Sequence, residues 1–157
     1  MLGSFDWGVL DFLIVDMPPG TGNELITLAE VLKGSNSSAL LVSSADAIAL
    51  QDSLKAARYC QDTNLPLLGL VENYAGTVCP HCGGEFDMFP RAPEIDQFAA
   101  QGIDTLARLP FTPAIGQGAA AGRPAAGDPA SPLCELFAEL ARRCRDELQH
   151  KQREMMQ

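Results

Sequence analysis

Two short stretches of this chain carry residue types at spacings that can do chemistry. In Cys79-Pro80-His81-Cys82-Gly83, two thiols stand three positions apart with a glycine after the second. At that spacing both sulfurs can grip one metal from a tight knuckle. The second stretch, Asp16-Met17-Pro18-Pro19-Gly20-Thr21-Gly22, follows the apolar run Phe12-Leu13-Ile14-Val15. A strand ending in Asp sets a carboxylate at the carboxyl edge of a parallel sheet, where ligands of open α/β folds bind. In nucleotide hydrolases such an acid holds Mg²⁺ beside the β- and γ-phosphates. Pro18 and Pro19 stiffen the turn, Gly20 and Gly22 let the backbone approach a phosphate, and Thr21 offers a hydroxyl. The bland alternative is a strand-to-helix turn punctuated by prolines. Paired prolines and glycines at fixed offsets favour the functional reading. No Gly-x-x-x-x-Gly-Lys-Ser/Thr loop occurs in the chain.

The thiol pair leaves three chemistries open. A closed metal site wants four ligands, and the other cysteines supply no second pair. Cys60 and Cys144 fall on apolar faces of expected helices, and Cys134 at the start of the last one. Each reads as a small core hydrophobe. The economical solution is a two-fold dimer in which each copy gives Cys79 and Cys82 to one shared site. Four sulfurs suit a [4Fe–4S] cluster, and also Zn²⁺. Thiol–disulfide exchange is the third reading. It calls for a pair that opens a helix, which Gly83-Gly84 opposes.

Composition narrows the classes. The chain has 157 residues, which is one domain by length, with 46% hydrophobic and 20% charged residues, ordinary for a globular core. A net charge of −9 argues against binding nucleic acid or an anionic membrane surface, because phosphate would repel it. No apolar run approaches the roughly 20 residues of a membrane span. The first residues lack the basic and cleavage features of a secretory signal, so a cytoplasmic site of action is expected. Five cysteines without framework spacing then point to metal binding or free thiols rather than bridges.

The elements that must position these residues are legible as alternating strands and helices. Residues 12–16, 38–43, 67–72 and 105–109 are short, apolar and Leu/Val/Ile-rich, as strands buried on both faces of a parallel sheet must be. Helices are expected over 23–33, with Leu25, Leu28, Ala29 and Leu32, and over 46–62, with Asp46 as N-cap. The class is α/β: a doubly wound, mainly parallel sheet with flanking helices. Residues 74–95, broken by glycines and prolines, form an inserted loop that holds the thiol pair. Residues 110–131 are expected to be irregular. Ser131 and Pro132 open a final helix with an apolar stripe from Leu133 to Leu148. The domain is expected over 1–148, followed by a frayed polar tail over 149–157. Gly69-Leu70-Val71-Glu72-Asn73 is a strand whose terminal amide could pair with an adenine edge.

The order W-G-x-L-D-F-L-I-V-D-M-P-P-G-T-G, G-L-V-E-N, C-P-H-C-G, L-P-F-T-P and A-G-R-P resembles the Mrp/ApbC family of iron–sulfur cluster carrier ATPases, relatives of MinD-type nucleotide hydrolases. The resemblance runs from residue 7 to about 140 and matches the second half of a family member. It implies a P-loop NTPase fold without its N-terminal phosphate-loop strand. It assigns Asp16 as the Mg²⁺-side acid, Gly20 and Thr21 to the phosphate switch, and Asn73 to adenine. Pro110 to Pro113 would border base and ribose. Cys79 and Cys82 would bridge a [4Fe–4S] cluster across a homodimer. The implied activity is ATP-coupled transfer of that cluster to apo-proteins, with ATP and Mg²⁺ as cofactors. Without the phosphate loop, this chain alone is expected neither to bind ATP tightly nor to hydrolyse it. A metal-dependent dimerisation module without nucleotide chemistry is the alternative. Tyr74-Ala75 replaces the common Met-Ser, and Phe89-Pro90-Arg91-Ala92-Pro93 replaces a glycine run.

Overall fold

In a computed structural model of the chain, residues 5–18, 22–32, 35–79, 81–129 and 131–155 are described. Three parallel strands make the main sheet: β1 (Ala39–Ser44), β2 (Leu67–Asn73) and β5 (Thr105–Leu109), in the order β1-β2-β5. Before them runs α1 (Asn23–Leu32), and α2 (Ala47–Asp62) crosses from β1 to β2. A two-stranded antiparallel hairpin, β3 (Thr77–Val78) and β4 (Glu85–Phe86), then a 3₁₀ turn (Pro93–Ile95) and α3 (Asp96–Ala100), intervene before β5. Next come α4 (Pro113–Ala120), a 3₁₀ turn (Ala125–Gly127) and α5 (Pro132–Met155). This is a parallel sheet with flanking helices, as the apolar strand runs imply.

The central strand holds the core together. Leu70 of β2 packs with Leu41, Leu50 and Ala57 of β1 and α2, and with Ile95, Phe98 and Ile103 beyond the hairpin. Side chains alternate across a strand, and Val71 is buried outside that cluster. Leu106 and Leu133 are likewise buried outside it, and α5 lies against β5 and β2. Both faces of β2 are therefore covered.

Local chemistry sets the ends of α2. The Asp46 carboxylate accepts the backbone N–H groups of Ile48 and Ala49, each at 3.1 Å. At the other end Asn64 takes the left-handed conformation, φ 57°. Leu65 N–H then donates to the Cys60 carbonyl and Asn64 N–H to that of Gln61, a Schellman closure. The Ser44 hydroxyl, followed by the Ala49 and Ile48 amides, holds the Asp46 carboxyl below its ordinary value. A depressed carboxyl stabilises above its unfolded value and loses that contribution as pH falls through the folded one. Asp46→Ala is expected to cost about 1 kcal/mol at neutral pH. Urea midpoints of the two proteins should converge as the solution is acidified through the carboxylate range, and a pH-independent gap would contradict this cap.

Four expectations need correction. Residues 12–16 form no strand: Phe12, Leu13, Ile14 and Val15 are 58%, 48%, 91% and 41% exposed. An apolar run becomes a strand only where a neighbour takes its ladder bonds. Among the described residues β1 pairs with β2 alone, and its Leu40 and Val42 also stand exposed. Helix α1 forms where expected, yet its stripe is only half-buried for want of that layer. Residues 110–131 are not wholly irregular, because Thr112 caps α4 by accepting the Ala114 N–H at 3.3 Å, with Pro113 in the first turn. Residues 149–155 of the expected polar tail are helical instead: α5 continues to Met155 through strong helix formers, with Ser131 accepting the Leu133 N–H at its start. Finally, the 74–95 loop contains the β3–β4 hairpin.

Candidate metal centre and the carboxyl edge of the sheet

Parallel pairing brings the carboxyl ends of all three strands to one edge. Ser44 stands opposite Asn73, and Asn73 opposite Leu109, so Pro110 follows directly beside Asn73. The Asn73 side-chain oxygen accepts the Tyr74 N–H at 3.0 Å, which turns the chain sharply out of β2 with Tyr74 at φ 56°. Three further bonds fix the exit. Ala75 N–H donates to Leu109 O at 2.8 Å, Phe111 N–H to Gly76 O at 2.9 Å, and the Thr77 hydroxyl to Phe111 O at 2.8 Å. The ring of Tyr74 packs edge-on to Phe111 (5.6 Å between centroids) and near Phe89 (6.3 Å).

The hairpin leaves from this edge and carries the thiols at its tip. Gly83 N–H donates to Cys79 O and Cys79 N–H to Gly84 O, both at 2.9 Å, so the two strands close directly around the pair. Gly83 sits at φ 70°, a conformation that a side chain would resist. The Cys79 thiol is held below its ordinary value first by the Cys82 backbone N–H, then by that of His81, then by the Cys82 thiol. Amides converging on one sulfur favour its thiolate, which is the metal-binding form. Cys82 is exposed and Cys79 half-buried. Burial instead pushes the Cys60 and Cys144 thiols up, with Arg143 partly opposing it at Cys144, in keeping with core roles.

The other expected site residues divide. Asn73 and Pro110 meet at the edge from which the thiol hairpin departs. Asp16 is exposed, in a segment without helix or strand, so no strand delivers it to that edge. Gly20 and Thr21 lie outside the described residues. Among the described residues no group of three or more His, Cys, Asp and Glu could hold a metal ion. Two thiols from one chain suit a four-thiolate group only when a second pair comes from elsewhere.

One buried group escaped the sequence reading. Glu72, on β2 beside Asn73, is 2% exposed and takes the Arg108 guanidinium on both oxygens, each at 3.2 Å. Arg91, on the arm that returns from the hairpin, approaches the same carboxylate at 3.8 Å. The signal was available: a charged residue inside the apolar strand Leu70-Val71-Glu72 needs a partner.

The chain is similar to proteins of known kind over most of its length. The family description "NUBPL iron-transfer P-loop NTPase" matches residues 1–145. The Cytosolic Fe-S cluster assembly factor CFD1 of Mycosarcoma maydis is 37% identical over 114 residues, covering 73% of this chain and 32% of that protein. An iron-sulfur cluster carrier protein of Pyrococcus horikoshii is 33% identical over 141 residues, covering 90% of this chain and 47% of its own length. Among solved structures, a nucleotide-binding protein of Archaeoglobus fulgidus in complex with ADP superposes with a TM-score of 0.59 at 28% identity, over 74% of this chain and 47% of that one. The chain thus spans from a third to about half of these relatives. Matched over residues 1–145, with a parallel α/β sheet of the expected class, the chain belongs to the NUBPL iron-transfer P-loop NTPase family.

Proposed function

We propose that this chain carries an iron–sulfur cluster as cargo and passes it to apo-proteins. Cys79 and Cys82 would give two of four thiolates, and a second copy of the chain the other two, with a [4Fe–4S] cluster bridging the homodimer. The observation that carries this reading is the knuckle: backbone amides lower the Cys79 thiol while Cys82 stays exposed at the hairpin tip. A buried structural site would hide its sulfurs, whereas a donor must let an acceptor reach them. The relatives named as cluster assembly factor and cluster carrier support the same cargo.

Nucleotide chemistry belongs to the proposal as a coupled activity of the whole family protein. Asn73 and Pro110 would border the base, Asp16 would hold Mg²⁺, and Gly20 and Thr21 would face the phosphates. The ADP-bound relative supports nucleotide binding in the family. ATP and Mg²⁺ would supply the phosphoryl-transfer step that drives loading or release. This chain's own residues at the edge, Asn73 and Pro110, would orient the base. The alternative, a static zinc-dependent dimerisation module, uses the same sulfurs without transfer. No helix among the described residues is long and apolar enough to cross a membrane. The relative named as a cytosolic assembly factor supports action in the cytoplasm.

Iron, sulfide and zinc per chain, measured after anaerobic reconstitution, test the reading. The expected result is one four-iron cluster per two chains, abolished in Cys79→Ser and transferable to an apo-acceptor. Zinc alone in the wild type would overturn the carrier reading in favour of the module.

A further inference from the structure

We propose that Arg91 is a positioning residue: its ion pair with the buried Glu72 latches the return arm of the thiol hairpin onto the carboxyl edge of the sheet. The inference rests on the reading of Cys79 and Cys82 as cluster donors and concerns what holds them in place. The two arms of the hairpin are anchored differently. The outgoing arm is tied by backbone groups of Ala75, Gly76 and Phe111 and by the Thr77 hydroxyl. The returning arm, after Phe86, is held mainly by side chains. Phe89 packs near Tyr74, and the Arg91 guanidinium stands between Glu72, at 3.8 Å, and Asp96, at 3.7 Å. One main-chain bond accompanies them, from Ala92 N–H to Ala45 O at 2.9 Å.

Glu72 suits the role of catch. Its carboxylate is 2% exposed and fixed by the two bonds from Arg108, so it cannot swing to follow the arm. Arg91 is 46% exposed and sits beyond hydrogen-bond distance of that carboxylate. A half-exposed pair of this kind is weak, and Arg108 keeps Glu72 paired when Arg91 leaves. The arm can therefore release without unfolding the sheet, and the latch reports to the strand that also ends in Asn73.

Hydrogen exchange on the metal-free chain tests the latch, comparing wild type, Arg91→Met and Arg91→Lys. Methionine keeps the aliphatic stem and removes the charge, while lysine restores the charge. The amides of Ala92, Cys79 and Gly83 are the reporters. In Arg91→Met they should exchange roughly 1.5-fold to fivefold faster, as loss of one weak ion pair allows. Core amides of Leu70 and Leu50 should be unchanged, and Arg91→Lys should recover most of the protection. The reconstituted proteins should follow the same order in the rate of iron loss to a chelator. Unchanged reporter exchange in Arg91→Met overturns the latch, whether or not the chain holds iron. Faster exchange with wild-type iron loss overturns it as a positioning device. Should the wild type hold no iron at all, the cluster reading has failed, and the exchange data with lysine rescue decide the latch by themselves.

Discussion

Gly69→Ala should destabilise the fold by about 3 kcal/mol or more, the sum of a backbone penalty and a steric one. Gly69 lies inside β2 at φ 157°, where the β1–β2 register slips so that Leu40 faces Gly69 while Ala39 faces Leu67. A Cβ placed there would stand 2.6 Å from the Asp104 carbonyl oxygen and 2.6 Å from Leu106 Cγ. The first is backbone, and that carbonyl also accepts the Leu70 N–H at 2.8 Å. Relieving the clash therefore moves either the β2–β5 junction or the buried Leu106 on β5, the strand that carries Arg108. Stability of a domain this size is about 5–15 kcal/mol, so the loss is a large share of it and corresponds to a drop of roughly 6–12 °C in melting temperature. Gly116→Ala is the control. It sits on the exposed helix α4 with nothing within 4 Å of the added methyl, and alanine should raise stability slightly. Urea midpoints that fall equally little for both substitutions would refute the close approach at Gly69.

The strands that formed were legible because their side chains alone demanded burial. β1 and β2 carry apolar residues on consecutive positions, β5 holds Leu106 and Leu109 inward, and α2 announced itself through the Asp46 cap and an apolar stripe. The same rule misled at Phe12–Val15. Hydrophobicity says that a segment seeks cover, not which strand covers it, and β1 offers an edge with no partner for that run among the described residues. Helix α4 was hidden by its Gly/Ala content, although Thr112-Pro113 is a proper helix opening. At the site, the Cys79/Cys82 spacing was enough to foresee a knuckle, because a metal motif is local in sequence. The Glu72 network was not local: Arg108 and Glu72 are 36 positions apart, and only the parallel pairing of β2 with β5 makes them neighbours.

Arg108→Met should expose how much that pairing contributes. Removing one partner of a buried, hydrogen-bonded ion pair leaves a charge without compensation, which costs roughly 3–5 kcal/mol in a closed interior. Arg108 is 55% exposed, so water can reach its place, and Arg91 remains nearby at 3.8 Å. The expected loss is therefore at the lower end, about 2–3 kcal/mol. Methionine preserves an aliphatic stem, so the loss belongs to the guanidinium. The decisive comparison is the double substitution Glu72→Leu/Arg108→Met. Apolar replacement of both partners removes the uncompensated charge together with its cause, and stability should return to within about 1 kcal/mol of the wild type. A single Arg108→Met that costs no more than about 0.5 kcal/mol would reduce the bond to an ordinary surface ion pair. That result would also weaken the catch for the hairpin arm, because Glu72 could then follow a departing Arg91. The cycle thus separates the two arginines on one carboxylate: Arg108, bonded to both oxygens, fixes the edge of the sheet, and Arg91, held at longer range, is free to let go.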